Sequence, residues 1–372
     1  MKRGLAALAM LGSAALALAA GLTPAQASAL GWRVVQVYDE TEFDSLSATS
    51  VSSAIAAGEQ CGHPCGVESL LVRQWNGSTW QRIASPPGSR INVFKSVTAA
   101  SSPSDEWVFT DATKVNSNMY YSAPLHWNGM AWTVSPRLIG VQANAAVAPS
   151  AGDAWVFGLV ISPQVGYVAH YNGTAWSHMP FPIETAAASA SSASDIWAVG
   201  NTLTSDTPVT MHWNGSTWAT VPLPHIHLPP GQTYVFAGVT DITPDNVWTD
   251  AYPWTGFGVA PGNVLLHWNG TAWARVKVPL PLNQPEAITA DGHGGIWMFG
   301  YKSATSARSA SFYHNRGGRW SRTLVPSTSK HITQLNSLSL VPGTQSVWAA
   351  GSILLPGVQQ GIGQGGILKF GP

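Results

Sequence analysis

The chain has 372 residues, only 10% of them charged, with Lys+Arg and Asp+Glu balanced at 18 each. That balance excludes the basic stripe by which proteins hold nucleic acid or an anionic membrane. Low charge with 37 Gly and 26 Pro is the composition of a turn-rich β protein, and the length suits two ordinary domains or one large all-β domain.

Residues 1–29 carry Lys2 and Arg3, then an Ala/Leu-rich apolar stretch, then small residues ending Ala27-Ser28-Ala29. This is the form of a secretory signal peptide. Cleavage after Ala29 is expected, with no Cys at the cleavage site to take a lipid and no apolar tail to insert in a membrane. The remaining 30–372 are expected to be secreted, soluble and monomeric.

A lone strand, "GWRVVQV", comes next, followed by "YDETEFD", which sets Asp39, Glu40, Glu42 and Asp44 on one crossing. Such runs commonly form solvated surface, but clustered carboxylates also bind Ca²⁺ or supply an acid/base pair. Cys61 and Cys65 follow, with Gly62-His63-Pro64 between them. In an exported chain they are expected to form a local disulfide clip, since neither C-x-x-C spacing nor a second Cys pair points to redox or metal work.

Two marks then alternate to the end. The first is D-x-W-x-x-G or a relative: "SDEWVFT", "GDAWVFG", "SDIWAVG", "DNVWTDA", "GGIWMFG", "QSVWAAG". The second is an apolar strand that ends in Asn-Gly and restarts at Trp, as in "HWNGSTW". Asn-Gly between apolar strands signals a hairpin with a type I′ turn, both of whose central residues need positive φ. Each unit therefore reads as four antiparallel strands, A to D. In the fourth unit these are near "ETAAASAS", "IWAVG", "VTMHW" and "TWATVPL".

Units of four to five tens of residues match propeller blades, whose sheets bury both faces only in a ring. The strand-B position is held by Ile55, Trp107, Trp155, Trp197, Trp248, Trp297 and Trp348, and the strand-D position by Trp32, Trp80, Trp132, Trp176, Trp218, Trp273 and Trp320. The two sets are out of phase. The chain opens on a strand D and stops at "GGILKFGP", a strand C without a D. Residues 30–372 are thus expected to form one seven-bladed β-propeller whose last blade is completed by the N-terminal strand.

With strand B ending in Gly, and an aromatic in strand C preceding a Trp that opens strand D, the pattern resembles kelch and galactose-oxidase type blades, as in secreted propellers of actinobacteria. The copper site of galactose oxidase does not carry over, because both cysteines sit in one tight loop and no matching tyrosine motif is present. No cofactor and no metal are expected.

Repetition separates frame from site. A residue present in every blade serves the blade, while one present once serves something else. Thirteen of the 18 Trp fill the B and D marks, and Trp75, Trp127, Trp213 and Trp268 share a strand-C position. All read as inter-blade core, which leaves Trp254. His126, His170, His212, His267 and His314 recur on strand C and are expected to bond backbone or the Asp of the A–B turn. Asp105, Asp153 and Asp195 fill that turn, with Asp245 one residue early. The sequons at Asn76, Asn172, Asn214 and Asn269 coincide with the hairpin turn, which explains them better than glycosylation does.

B–C loops and D–A crossings vary most, and variable loops on a rigid scaffold are where sites form. On that face "PHIHLPP" carries His225 and His227, and "DAYPWTGFG" carries Asp250, Tyr252, Trp254 and Phe257 on the blade-five B–C loop. They read as an aromatic platform with polar flanks for a sugar or peptide, or as a loop packing on itself.

Three functions remain open: an extracellular module binding glycan or cell-envelope polymer, a carbohydrate-active hydrolase or lyase with acids from "YDETEFD", and a protein-interaction scaffold. Binding is preferred because no catalytic constellation appears. "SPSDEWVF" lacks the Gly and Trp spacing of the sialidase Asp box, and neither a G-x-S-x-G elbow nor H-E-x-x-H is present.

Overall fold

The structure, a computed structural model, describes residues 31–61, 68–83, 91–114, 120–302, 310–326, 332–354 and 363–372. The expected signal peptide, 1–29, lies outside the described residues. So does Cys65, and with it the expected Cys61–Cys65 bond; Cys61 itself ends a strand and is buried. Among the described residues thirty strands form seven antiparallel sheets, and no helix is long and apolar enough to cross a membrane.

Six sheets are blades in chain order, as in blade four: Glu184–Ser192, Asp195–Asn201, Pro208–Trp213 and Trp218–Val221. Blade two differs in splitting its outer strands, C into Tyr120–Ser122 and Leu125–Trp127, and D into Trp132–Val134 and Leu138–Ile139. In the seventh sheet, strands Ile332–Leu340, Val347–Leu354 and Gln364–Phe370 are completed by Trp32–Asp39. Trp32 stands opposite Phe370 and Asp39 opposite Gln364. Both ends of the chain close the ring, as the out-of-phase marks require.

A single blade would leave an apolar face in water, and the ring removes that cost by placing a core at each junction. Blades six and seven share Trp297, Phe312, Trp32 and Leu368, and blades seven and one share Trp348, Ile367, Trp80 and Leu71. At five junctions the strand-B Trp meets the strand-D Trp of the next blade edge-on. Centroids lie 5.8 Å apart for Trp155–Trp218 and 5.2 Å for both Trp197–Trp273 and Trp348–Trp80. The strand-C Trp are only half-buried, and each ties its indole N–H to the A–B turn of its own blade, as Trp213 does to the Ala193 carbonyl at 3.2 Å.

The strand-C histidines serve the frame. Nε2 of His126, His170, His212 and His314 lies 2.7–2.8 Å from Asp105, Asp153, Asp195 and Asp291, while His267 meets Asn246 at 3.0 Å. Each ring stacks on the strand-B Trp of its blade, with centroids 3.9–4.5 Å apart. Burial alone would raise the Asp105 carboxyl, but hydrogen bonds from His126, Ser101 and Trp107 hold it below its ordinary value.

The Asn-Gly hairpin is not a type I′ turn. Only its Gly has positive φ, +88° to +94° across five blades. The Asn side chain makes the turn: Asn214 Oδ1 accepts from Ser216 N and Thr217 N at 3.0 Å and from Ser216 Oγ at 2.9 Å. The sequon hydroxyl is thus a third donor to the Asn, which accounts for N-G-[ST]. Blade six alone has a two-residue turn with both φ positive, Gly317 at +56° and Gly318 at +77°.

Candidate binding site

Seven A strands crowd the axis, which is why they are rich in Ala, Ser and Thr. Their hydroxyls satisfy backbone groups that face a neighbouring blade rather than a strand. Ser337 Oγ and Ser339 Oγ accept from Leu46 N and Ala48 N at 3.0 Å, and Ser189 Oγ accepts from Asp241 N at 2.9 Å.

Every strand A carries an extra residue against strand B close to its start, apart from the second slip that five of them have beside the A–B turn. The pairing slips at Asp44, Phe94, Asn144, Ala186, Ala237, Glu286 and Asn336, one β-bulge per blade near the end where strand A enters the ring. A bulge re-aims its extra side chain, and all seven line a central cavity of about 600 Å³. The repeat's strand-B glycine is the other half of this device. A Cβ on Gly158 would lie 1.7 Å from the Gln142 carbonyl oxygen, and one on Gly200 2.0 Å from that of Glu184. The W-x-x-G mark therefore records the bulge opposite it.

The ring is asymmetric. Blades six, seven, one, two and three contribute Glu286, Asn336, Asp44, Phe94 and Asn144 in succession, whereas blades four and five contribute alanines beside Ala187, Ala188 and Gly238. One arc offers functional groups, and the other offers room.

Asp44 Oδ2 accepts from Ser96 N at 2.8 Å and Ser96 Oγ at 3.0 Å, across the junction of blades one and two. Burial nonetheless pushes its carboxyl up to about 7, with the Ser96 donors and Lys95 opposing and Glu42 adding to the rise. Asn336 Nδ2 donates to the Phe43 carbonyl at 2.9 Å, bridging blades seven and one. Glu286 takes a hydrogen bond from Gln284 Nε2, and burial pushes it up to about 7. Phe94 is 44% exposed, and the Asn144 amide meets no partner among the described residues.

The acidic run divides on folding. Asp39 accepts from Gln364 Nε2 at 2.6 Å and Glu40 occupies the turn into blade one at φ +51°, whereas Glu42 stays near Asp44 and accepts from Asn336 Nδ2 at 3.4 Å; of the four, Asp44 lines the channel. Among the described residues no group of three or more His, Cys, Asp or Glu is placed to hold a metal.

Of the blade-five residues singled out above, Asp250, Tyr252 and Trp254 lie on strand B itself, Asn246–Trp254, rather than on the loop. The strand runs further than its polar sequence suggests because strand A, Thr233–Thr243, pairs along its whole length. Asp250 is completely buried; burial, followed by the Glu286 charge, raises its carboxyl well above the ordinary range. Tyr252 is partly buried and raised by the same two causes. Trp254 is half-buried and bridges to Val259, and Phe257 is fully exposed. His225 and His227 are exposed while Ile226 and Leu228 between and beside them pack inward, so the crossing presents its histidines to solvent.

No protein-family model matches the chain, and no curated protein matches it in sequence. The fold is shared with solved structures. A polysaccharide lyase of the ulvan lyase type has TM-score 0.54 at 12% identity, covering 89% of this chain and 97% of that one. An oligogalacturonate lyase from Vibrio parahaemolyticus has 0.52 at 11%, covering 92% and 97%. The β-propeller domain of the Trilobed protease from Pyrococcus furiosus, of open velcro topology, has 0.52 at 6%, covering 87% and 97%. The chain is a seven-bladed β-propeller closed by its two ends.

Proposed function

We propose that the protein is a secreted binding protein that takes an uncharged glycan into its central channel. The observation that carries this reading is the bulge ring, where every blade has the same backbone device and the seven side chains presented are of five kinds. Carboxyl and amide groups pair with neighbouring sugar hydroxyls, an exposed ring stacks on sugar C–H faces, and the alanine arc leaves space for the pyranose. A carboxyl near its pKa both donates and accepts, which suits hydroxyls. Two lining acids, Asp44 and Glu286, against the single lining cation Lys95 disfavour an anionic sugar. Trp254 and Phe257, at the variable-loop face, would extend the contact for a longer chain. The likeness to two lyases of carbohydrates supports the reading through fold alone.

A glycan array followed by calorimetry on residues 30–372 tests it. Phe94→Ala and Asn144→Ala are each expected to weaken the selected glycan about tenfold, roughly 1.4 kcal/mol, with melting temperature nearly unchanged. Unchanged affinity in both variants would overturn the channel site. The hydrolase or lyase reading is favoured by one observation, the pair of channel acids raised to about 7, where a general acid works best. Turnover of the bound glycan that vanishes in Asp44→Asn while binding persists would establish it.

A further inference from the structure

One junction departs from the other six. In six blades the strand-C residue paired with the strand-D Trp is aromatic: Trp75, Trp127, Tyr171, Trp213, Trp268 and Phe370. In blade six it is Asn315, opposite Trp320. In five of the six that ring covers the strand-B Trp of the preceding blade, as Trp213 covers Trp155 at 5.0 Å and Phe370 covers Trp297 at 4.7 Å, while before Trp127 the strand-B position holds Ile55. Trp248 of blade five has no such ring over it, and among the described residues it makes no ring contact with Trp320 either. It is 8% exposed, against 0–3% for the other five strand-B Trp. A cleft of about 770 Å³ opens here, between Trp248 and His267 on one side and Asn315 and Trp320 on the other.

We propose that this cleft between blades five and six, at the turn end of the disk and away from the channel ring, binds a planar aromatic group of indole or phenol size carried by a small molecule. Such a ring replaces the side chain that closes the other junctions. It finds the Trp248 and Trp320 indoles on the two walls, with Lys277 and Asp245 in the polar lining; Asn315 is 4% exposed, and the Asn246 side chain is held by Gly294, Trp248 and His267. Backbone bulk is low at the mouth, where Gly294, Gly317 and Gly318 stand. The stacked pair beneath is uncharged on the frame's own terms: Asn246 replaces the Asp of the sister blades, and burial lowers the His267 pKa. The carboxylate that lines the cleft is Asp245, whose charge opposes the fall in the His267 pKa.

Saturation-transfer NMR and calorimetry with indole and N-acetyltryptophanamide test the proposal, with cyclohexanol as the non-aromatic control. Saturable binding of both aromatic probes, weaker by about tenfold or more in Asn315→Trp and unchanged in Phe94→Ala, is the expected result. Asn315→Trp is also expected to raise the melting temperature, because it fills the vacancy. Absence of saturable indole binding in the parent overturns the proposal. So does indole binding that survives in both Asn315→Trp and Asn315→Phe, or failure of both variants to fold, since a cleft with room for a ring accepts one. Loss of indole binding in Phe94→Ala would move the ring to the channel and overturn it as well.

Discussion

The turn end of the disk and its axis are built from the same seven blades, yet they treat the repeat in opposite ways. At the turn end, Asp–His pairs, stacked Trp and Asn-capped hairpins recur nearly unchanged, because each blade must solve the same packing problem there. At the axis the bulge recurs in every blade, with a glycine opposite it in five, while the side chain it presents changes from carboxylate to amide to phenyl to methyl. Repetition of geometry with variation of chemistry is what a binding ring needs, so the difference separates what holds the molecule together from what it presents.

Breaking the frame should cost most. Removing Trp32–Asp39 strips the fourth strand from blade seven and bares the edge of Gln364–Phe370; loss of the cooperative calorimetric transition, with aggregation on size exclusion, is expected. Trp197→Ala empties a site with no solvent exposure and is expected to cost about 3–5 kcal/mol in urea denaturation. Gly200→Ala sharpens the comparison at the axis. Its Cβ would collide with the Glu184 carbonyl, and an overpacking cost of about 1–3 kcal/mol is expected, together with loss of channel binding. Blade five bears Ala251 at this position, so the reverse change there should be far milder. His212→Ala leaves Asp195 buried without its imidazole partner and is expected to cost about 1–3 kcal/mol, whereas the exposed His225→Ala should stay within about 0.5 kcal/mol.

The smallest expected effect is on pH. Asp44, Glu106 and Glu286 are raised by burial to about 7 and Asp241 to about 8, so they favour the folded state when protonated. Their contribution is complete below the ordinary carboxyl range and is lost as pH rises through 7 to 8. Asp291, brought down to about 2 by hydrogen bonds from His314 and Arg316 despite its burial, acts the other way, contributing above the ordinary value and failing as pH falls through 2. Melting temperature should therefore be highest at mildly acid pH and decline from pH 5 to pH 9. A rise over that interval would contradict the buried-acid assignment.

The blades were legible because their marks are large and periodic: Trp at strands B and D, His on strand C and Asn-Gly at the hairpin. The bulge ring was not, because inner strands read as featureless Ala/Ser runs and a bulge adds one residue with no composition of its own. The signal was nonetheless present. In five blades the channel residue stands eleven positions before the strand-B mark, as Asp44 before Ile55 and Glu286 before Trp297, and the glycine after the mark reports the bulge. Trp254 was conspicuous for its uniqueness, but uniqueness alone does not say where a side chain faces. The gap at Asn315 is visible only once the register shows which residues are equivalent.

Closure by both ends also sets blade seven apart in the sequence separation of its contacts. Arg33 donates to the Gly371 carbonyl across 338 positions. Joining a loop of that length costs about 5 kcal/mol in chain entropy, against about 1 kcal/mol for a four-residue hairpin. Blades one to six are each built from neighbours in sequence, whereas the seventh joins residues from both ends, so a chain without that pairing leaves the edge of Gln364–Phe370 bare to a second chain.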